Sequence, residues 1–222
     1  MSTDHHPIRM SLNLDHCFII TELQAPQAAQ LSKLGLVEGT RNQHPGQGTA
    51  NRRFFFSNAM LELLYVWDES EARHGPGRRL RFVERAADTG ASPFGLIMKS
   101  PAGLSATPFQ GWRYHPDYFE ADKYFHVGEN ADVLAEPLCI YVPFELPLPA
   151  NQPRSAEPFT NVSELRISVP VDQPSSVLQA VAQIEGVSIC LEEPHLMEIV
   201  FNDEKLGQSK DMRPGLPLII RW

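Results

Sequence analysis

The chain has 222 residues, 42% of them hydrophobic and 21% charged, with 19 basic against 27 acidic side chains and a net charge of −8. That length allows one or two domains. That apolar share supports a real core, which excludes a disordered tail, a fibrous repeat and a disulfide-stapled miniprotein. Phosphate backbones are bound by clustered Lys and Arg, so no nucleic-acid partner is expected of so acidic a chain.

Residues 14–21 (LDHCFIIT) are β-rich and apolar on both faces, the pattern of a strand covered on two sides. After Pro26, Ala28, Leu31 and Leu34 fall at helical spacing and Gly35 supplies a stop. Residues 39–51, rich in Gly, Pro and Asn, read as a loop, and residues 53–57 and 60–67 as two strands turning near Ser57 and Asn58. Residues 77–90 read as a short helix with Leu80, Val83 and Ala87 on one side and Arg78, Arg79, Arg81 and Arg85 on a solvated face. Strands are expected at 94–99, 124–127 and 138–144. Between the first two, residues 109–125 concentrate aromatic side chains, either as a loop pinned to the core or as a wall over a ligand pocket. Residues 145–161 form a Pro-rich connection. Beyond it come a strand at 164–171, a helix opening at Pro174 with Val177, Val181 and Ile184 on one stripe, and strands at 187–191, 197–201 and 216–220. The two ends of the chain thus share a βαβββ order, a weak internal repeat.

The longest apolar runs, 60–67 and 216–220, are strand-sized and far below the ~20 residues of a membrane helix, so no membrane partner is expected. The opening residues lack a charged start followed by an apolar run, so no secretory signal is expected. Cys17, Cys139 and Cys190 each sit in an apolar run and read as buried free thiols of a cytoplasmic protein.

Two residues stand out from apolar strands. His16 shares a face with Phe18 and Ile20 by strand alternation, and Cys17 points the other way. Glu62, between Leu61 and Leu63, is costly to bury as an unpaired charge, so it needs a cation such as Arg52 or Arg53, a hydrogen-bond network or a raised pKa. The pair reads as two ligands of a divalent ion (Zn, Fe, Mn or Ni), as a base with its orienter, or as satisfied core residues. In HPGQGTANR, two glycines free backbone amides, and His44, Thr49, Asn51 and Arg52 suit an anionic or carbonyl ligand; a purely structural turn is the other reading. No Gly-Lys-Ser/Thr follows, so it is not a P-loop. Trp112 and Tyr114 are candidate contacts for an aromatic ligand, while His115 and His126 read as solvent or loop contacts. The chain has neither G-x-S-x-G nor H-E-x-x-H.

LDHCFIIT, a helix ending in LGL, HPGQGTANR and LELLYV together resemble the glyoxalase-like branch of the vicinal oxygen chelate superfamily, closely over residues 12–68 and loosely over 92–145. WRYHPDYF and EPLCIYVPF are similar to parts of uncharacterised bacterial members, and residues 162–222 to a unit that some members append. The resemblance implies an α+β fold. Paired βαβββ modules, 12–68 and 77–148, would form a curved mixed sheet (a half-barrel with helices outside) around a small-molecule pocket. A linker at 149–161 and an additional C-terminal βαβββ-like unit at 162–222 would follow. It also implies that His16 and Glu62 are catalytic and hold the metal, which would polarise a carbonyl or enolate oxygen while Asn51 and Arg52 orient an anionic substrate. The second module should add two more ligands, yet residues 94–99 and 138–144 offer none at their centres; the C-terminal unit offers Glu164 but then Pro217. The expected function is a small-molecule pocket with metal-assisted lyase, isomerase or dioxygenase chemistry. The alternatives are a metal-free binding protein and an assembly role, with a homodimer left open.

Overall fold

The computed structural model describes residues 12–87, 90–100, 107–145 and 150–222. The first eleven residues, residues 88–89 of the expected Arg-rich helix and residues 146–149 of the Pro-rich connection lie outside them. Eight strands form the first sheet: β1 (Asn13–Ile20), β2 (Asn42–His44), β3 (Thr49–Phe55), β4 (Met60–Val66), β5 (Phe94–Lys99), β6 (Gly111–Tyr114), β7 (Phe125–Gly128) and β8 (Leu138–Val142). Their order is β2-β3-β4-β1-β5-β8-β7-β6. β1 runs parallel to β4, β5 runs parallel to β8, and the antiparallel β1–β5 pair joins the halves. The sheet is a curled half-barrel in which one strand order occurs twice, as the α+β expectation requires.

Alternation along the central strands sorts two cores onto the two faces. Cys17 and Ile19, Leu61 and Leu63, Leu96 and Met98, and Cys139 and Tyr141 point outward into one apolar cluster. Phe18 and Ile20, Leu64, Ile97, and Leu138, Ile140 and Val142 point inward into another. Gly95 is required at the centre, because a Cβ there would meet the Phe18 ring at 2.0 Å.

Among the described residues four α-helices accompany the sheets: α1 (Ala28–Leu34), α2 (Glu69–His74), α3 (Phe82–Ala86) and α4 (Ser176–Val181). α1 buries Ala28 and Leu31 on the outer face and stops at Gly35, in the left-handed region as expected. The expected Arg-rich helix is broken. A 3₁₀ turn, Pro76–Leu80, ends at Arg81, whose φ is 60°, and α3 restarts beyond it. Arg85 is not solvated: only 2% exposed, it donates to the carbonyls of Ser92, Ala131, Leu134 and Glu136 and ties α3 to the second half.

The stretch 39–51 is not a plain loop. It contains β2 and the start of β3, joined by a turn that uses Gly46 at φ 82° and Gly48 at φ 67°. A Cβ on Gly48 would lie 2.2 Å from the Asp68 carbonyl. β6 lies within the aromatic-rich stretch, where no strand was expected.

The C-terminal unit is a second sheet of β9 (Val162–Ser168), β10 (Val187–Cys190), β11 (Leu196–Phe201), β12 (Ser209–Asp211) and β13 (Leu218–Arg221), ordered β10-β9-β11-β13-β12. With five strands around one helix it has one strand more than the βαβββ order expected of it, and its pairing differs from that of the first half: β9 lies beside β10, whereas β1 lies beside the last strand of its half. Its Leu165, Ile167, Met197, Ile199, Leu218 and Ile220 join the outer cluster of the half-barrel, as do Val177, Leu178 and Val181 of α4. The connection before it is fastened along the first half: Ser155 bonds Val37 and Phe55, Arg154 bonds the carbonyls of Phe56 and Ser57, and Phe159 is buried. Cys17 and Cys139 are buried as expected, but Cys190 is exposed. Among the described residues no helix is long and apolar enough to cross a membrane.

Candidate functional site

The inner face holds a cavity of about 200 Å³. Its polar lining comes from the first half: His16 of β1, Asn42 and His44 of β2, Gln47 of the turn, Arg53 of β3 and Glu62 of β4. Its apolar lining includes Ile97 and Ile140 of the second half, Leu80 and Phe82 of the segment between the halves, and Tyr118, Phe119 and Phe125. A larger surface hollow of about 670 Å³ beside Arg41 and Trp67 carries neither histidine nor Glu62.

His16 is held by its neighbour. A register shift between Leu14 and His16, in the pairing of β1 with β5, breaks strict alternation at Asp15. Asp15 Oδ2 lies 2.7 Å from His16 Nδ1, and Lys99 Nζ lies 2.7 Å from Asp15 Oδ1. Burial alone would push the His16 imidazole down, but the Asp15 hydrogen bond and the negative charges of Glu62 and Asp15 outweigh it. Its pKa is therefore raised, despite opposition from Lys99. Asp15 is held below the usual carboxylate value: burial pushes it up, and bonds to His16 and Lys99 more than reverse this.

His44 moves the other way. Burial pushes its imidazole down, and the charges of His16 and Arg53 add to that against the pull of Glu62. Its Nδ1 lies 3.0 Å from Thr49 Oγ1. Glu62 is 7% exposed, and its Oε1 accepts from Asn51 Nδ2 at 2.9 Å, the hydrogen-bond answer to burying a carboxylate. Behind it, burial pushes the Cys17 thiol up to about 12, which leaves it unreactive.

The expected site residues therefore divide. His16, Glu62 and His44 line one cavity, with Asn51 and Thr49 directly behind as hydrogen-bond partners. Arg52 does not reach it: alternation turns it away, into an ion pair with Glu38 and a bond to the Ala25 carbonyl. Arg53, the strand partner of Glu62, lines the cavity instead, with its guanidinium on Thr40 at the rim. Trp112 and Tyr114 are not in the lining. Trp112 lies under the Arg79 guanidinium at 4.0 Å, and Tyr114 is buried in the inner cluster. The aromatic side chains of residues 109–125 that do line the cavity are Tyr118, Phe119 and Phe125.

The glycine turn does not offer its amides to a ligand. Glu71 accepts from Gly46 N and Gly48 N at 2.9 Å each, so a carboxylate of this chain fills the nest. His115 is exposed on the Lys123 carbonyl, whereas His126 is buried against the Phe109 carbonyl.

The expected divalent ion finds two of its four family ligands. Ile97 is the strand partner of His16, Ile140 is the partner of Ile97 on β8, and both line the cavity, so the second half presents methyl groups there. Among the described residues no three His, Cys, Asp or Glu side chains are grouped to hold a metal ion. This donor set does not fit a resident metal.

Two four-stranded halves curled around one inner cavity make a half-barrel of glyoxalase-type fold. Residues 14–102, a stretch that runs from β1 through β5, match the sequence model of the glyoxalase-like domain. No curated protein matches the sequence. A hypothetical protein from Staphylococcus aureus shares the fold at a TM-score of 0.51 and 9% identity, over 95% of this chain and 98% of its own. That likeness extends into the C-terminal unit. A hypothetical protein from Bacillus halodurans is similar at 0.42 and 13% identity, over 64% of this chain and 99% of its own. A methylmalonyl-CoA epimerase from Mycobacterium tuberculosis is similar at 0.38 and 15% identity, over 62% and 92%.

Proposed function

We propose that the cavity binds a small carbonyl compound or carboxylate and moves a proton on it without a resident metal. The observation that carries this reading is the meeting of His16, His44 and Glu62 on one lining, beside Asn42, Gln47 and Arg53 and across from an apolar wall. The raised pKa of His16 favours its protonated form, in which both ring nitrogens donate, and the lowered pKa of His44 favours its neutral form, which keeps one acceptor nitrogen. His16, oriented by Asp15, donates to the substrate oxygen. Glu62 or His44 takes the proton from the adjacent carbon, the C–H electrons move to the oxygen, and return of the proton completes an isomerisation. The apolar wall strengthens these charge interactions by excluding water. At about 200 Å³ the cavity is below the ~300–1,000 Å³ of drug-sized sites, so the occupant is small.

A binding protein without catalysis is the second reading, favoured by the extent of the apolar wall. Methyl and imidazole NMR of the protein with a panel of small ketones, hydroxy acids and carboxylates tests both. The proposal expects joint shifts at Ile97, Ile140, His16 and His44. Shifts confined to the hollow near Trp67, or none with any compound, would refute both readings.

A further inference from the structure

Behind His44 runs a chain of side chains that the proposed chemistry does not itself use. His44 Nδ1 lies 3.0 Å from Thr49 Oγ1, the Thr49 hydroxyl donates to Gln47 Oε1 at 3.4 Å, and Gln47 Nε2 donates to the Tyr118 hydroxyl at 2.8 Å. Thr49 is 2% and Gln47 6% exposed, so water does not compete freely for these groups. Buried hydroxyls and amides must then satisfy one another, and the direction of each bond constrains the next.

The direction can be followed from the far end. An amide has one donor side and one acceptor side, and Gln47 spends its donor on Tyr118. Its oxygen therefore faces Thr49, whose single hydroxyl proton goes to it. Thr49 has no proton left for His44, so it accepts. A neutral His44 consequently carries its proton on Nδ1, and Nε2 keeps a bare lone pair. Burial, which lowers the His44 pKa, keeps the ring in this neutral form.

We infer that Thr49, Gln47 and Tyr118 are positioning residues that set the His44 tautomer, so that Nε2 serves as the acceptor in the cavity. This rests on the proposed proton transfer for its use, but not for its test. Tyr118 lies in the aromatic wall, with its ring 6.0 Å from that of His44. The wall and the base are therefore one hydrogen-bonded unit, in which the Gln47 amide gives its N–H to Tyr118 and its oxygen to Thr49.

The test is the tautomer of His44, read by nitrogen NMR on the full chain with no ligand added. The wild type is expected to show a protonated, pyrrole-type Nδ1 and a pyridine-type Nε2. Thr49→Val, close in volume, removes the acceptor, and the two nitrogens should exchange character. Gln47→Leu should lose the wild-type preference. Gln47→Glu, which can only accept from Thr49, should retain it, a rescue that a merely structural role for Gln47 would not produce. A wild-type His44 protonated on Nε2, or a Thr49→Val protein with the wild-type pattern, would overturn the inference. A correct tautomer in a protein that moves no proton on any substrate would refute the proposed function and leave the inference standing.

Discussion

The two halves of the half-barrel share a strand order and differ in almost everything their inner faces present. β1 to β4 bring His16, His44, Arg53 and Glu62 to the cavity; β5 and β8 bring Ile97 and Ile140 at the facing positions. The repeated fold supplies curvature twice, while the chemistry is carried once. Where four-sided ligation would need polar groups from both halves, this chain places polar groups opposite a methyl-lined wall. That arrangement suits a small molecule with one polar end.

The outer faces differ too. α1 covers the first half, and α4, from the C-terminal unit, packs with Cys139 and Tyr141 of the second. Removing residues 162–222 should therefore strip the second half of its cover and abolish a cooperative thermal transition, because the apolar area it buries drives folding. A truncated chain that melts cooperatively near the full-length temperature would show the unit to be independent. Next in size is a paired exchange across the cavity. Ile97→Asn puts an unpartnered amide in the apolar half and should cost about 2–4 kcal/mol. Glu62→Gln keeps the Asn51 bond and should cost less than about 1 kcal/mol. Denaturant titration should separate them clearly, while the proton-transfer rate shows the opposite order, with Glu62→Gln losing about 10²–10⁴-fold.

The histidines predict opposite pH dependences. The raised His16 value contributes stability that is fully present below the ordinary value of about 6.5 and lost as pH rises through the folded value. The lowered His44 value costs stability as pH falls from about 6.5 through its folded value, because the unfolded chain takes up the proton first. Unfolding free energies between pH 5 and 9 should thus lose their alkaline decline in His16→Gln and their acid decline in His44→Gln; parallel curves would contradict both assignments. For the arginine that faces away, the effect is confined to stability. Arg52→Ala should cost about 1–2 kcal/mol through the Glu38 pair and leave ligand-induced shifts at Ile97 unchanged.

Much of this arrangement could be read in the chain before folding. Alternation in LDHCFIIT and LELLYV assigned His16 and Glu62 to faces, and two-sided apolarity marked their strands as covered. What could not be read depended on register and distance. Whether Arg52 or Arg53 accompanies Glu62 is decided by a one-residue pairing of β3 with β4, which puts Arg53 opposite Glu62. The amides of the glycine turn looked free because Glu71, which fills them, lies more than twenty residues on. Asp15 escaped notice as the partner of His16 because neighbours in a regular strand face apart, and only the register shift in β1 brings them together. The wall of Tyr118, Phe119 and Phe125 was legible as a concentration of aromatics, but not which of them reach the cavity.

The central claim is proton transfer by His16, His44 and Glu62 on a small carbonyl compound or carboxylate. It is tested most directly by solvent deuterium incorporation next to the carbonyl in a substrate panel, with and without a strong chelator. The account predicts incorporation that the chelator leaves unchanged and that the combined Glu62→Gln and His44→Gln variant abolishes. Incorporation lost to the chelator, or none with any compound, would contradict it.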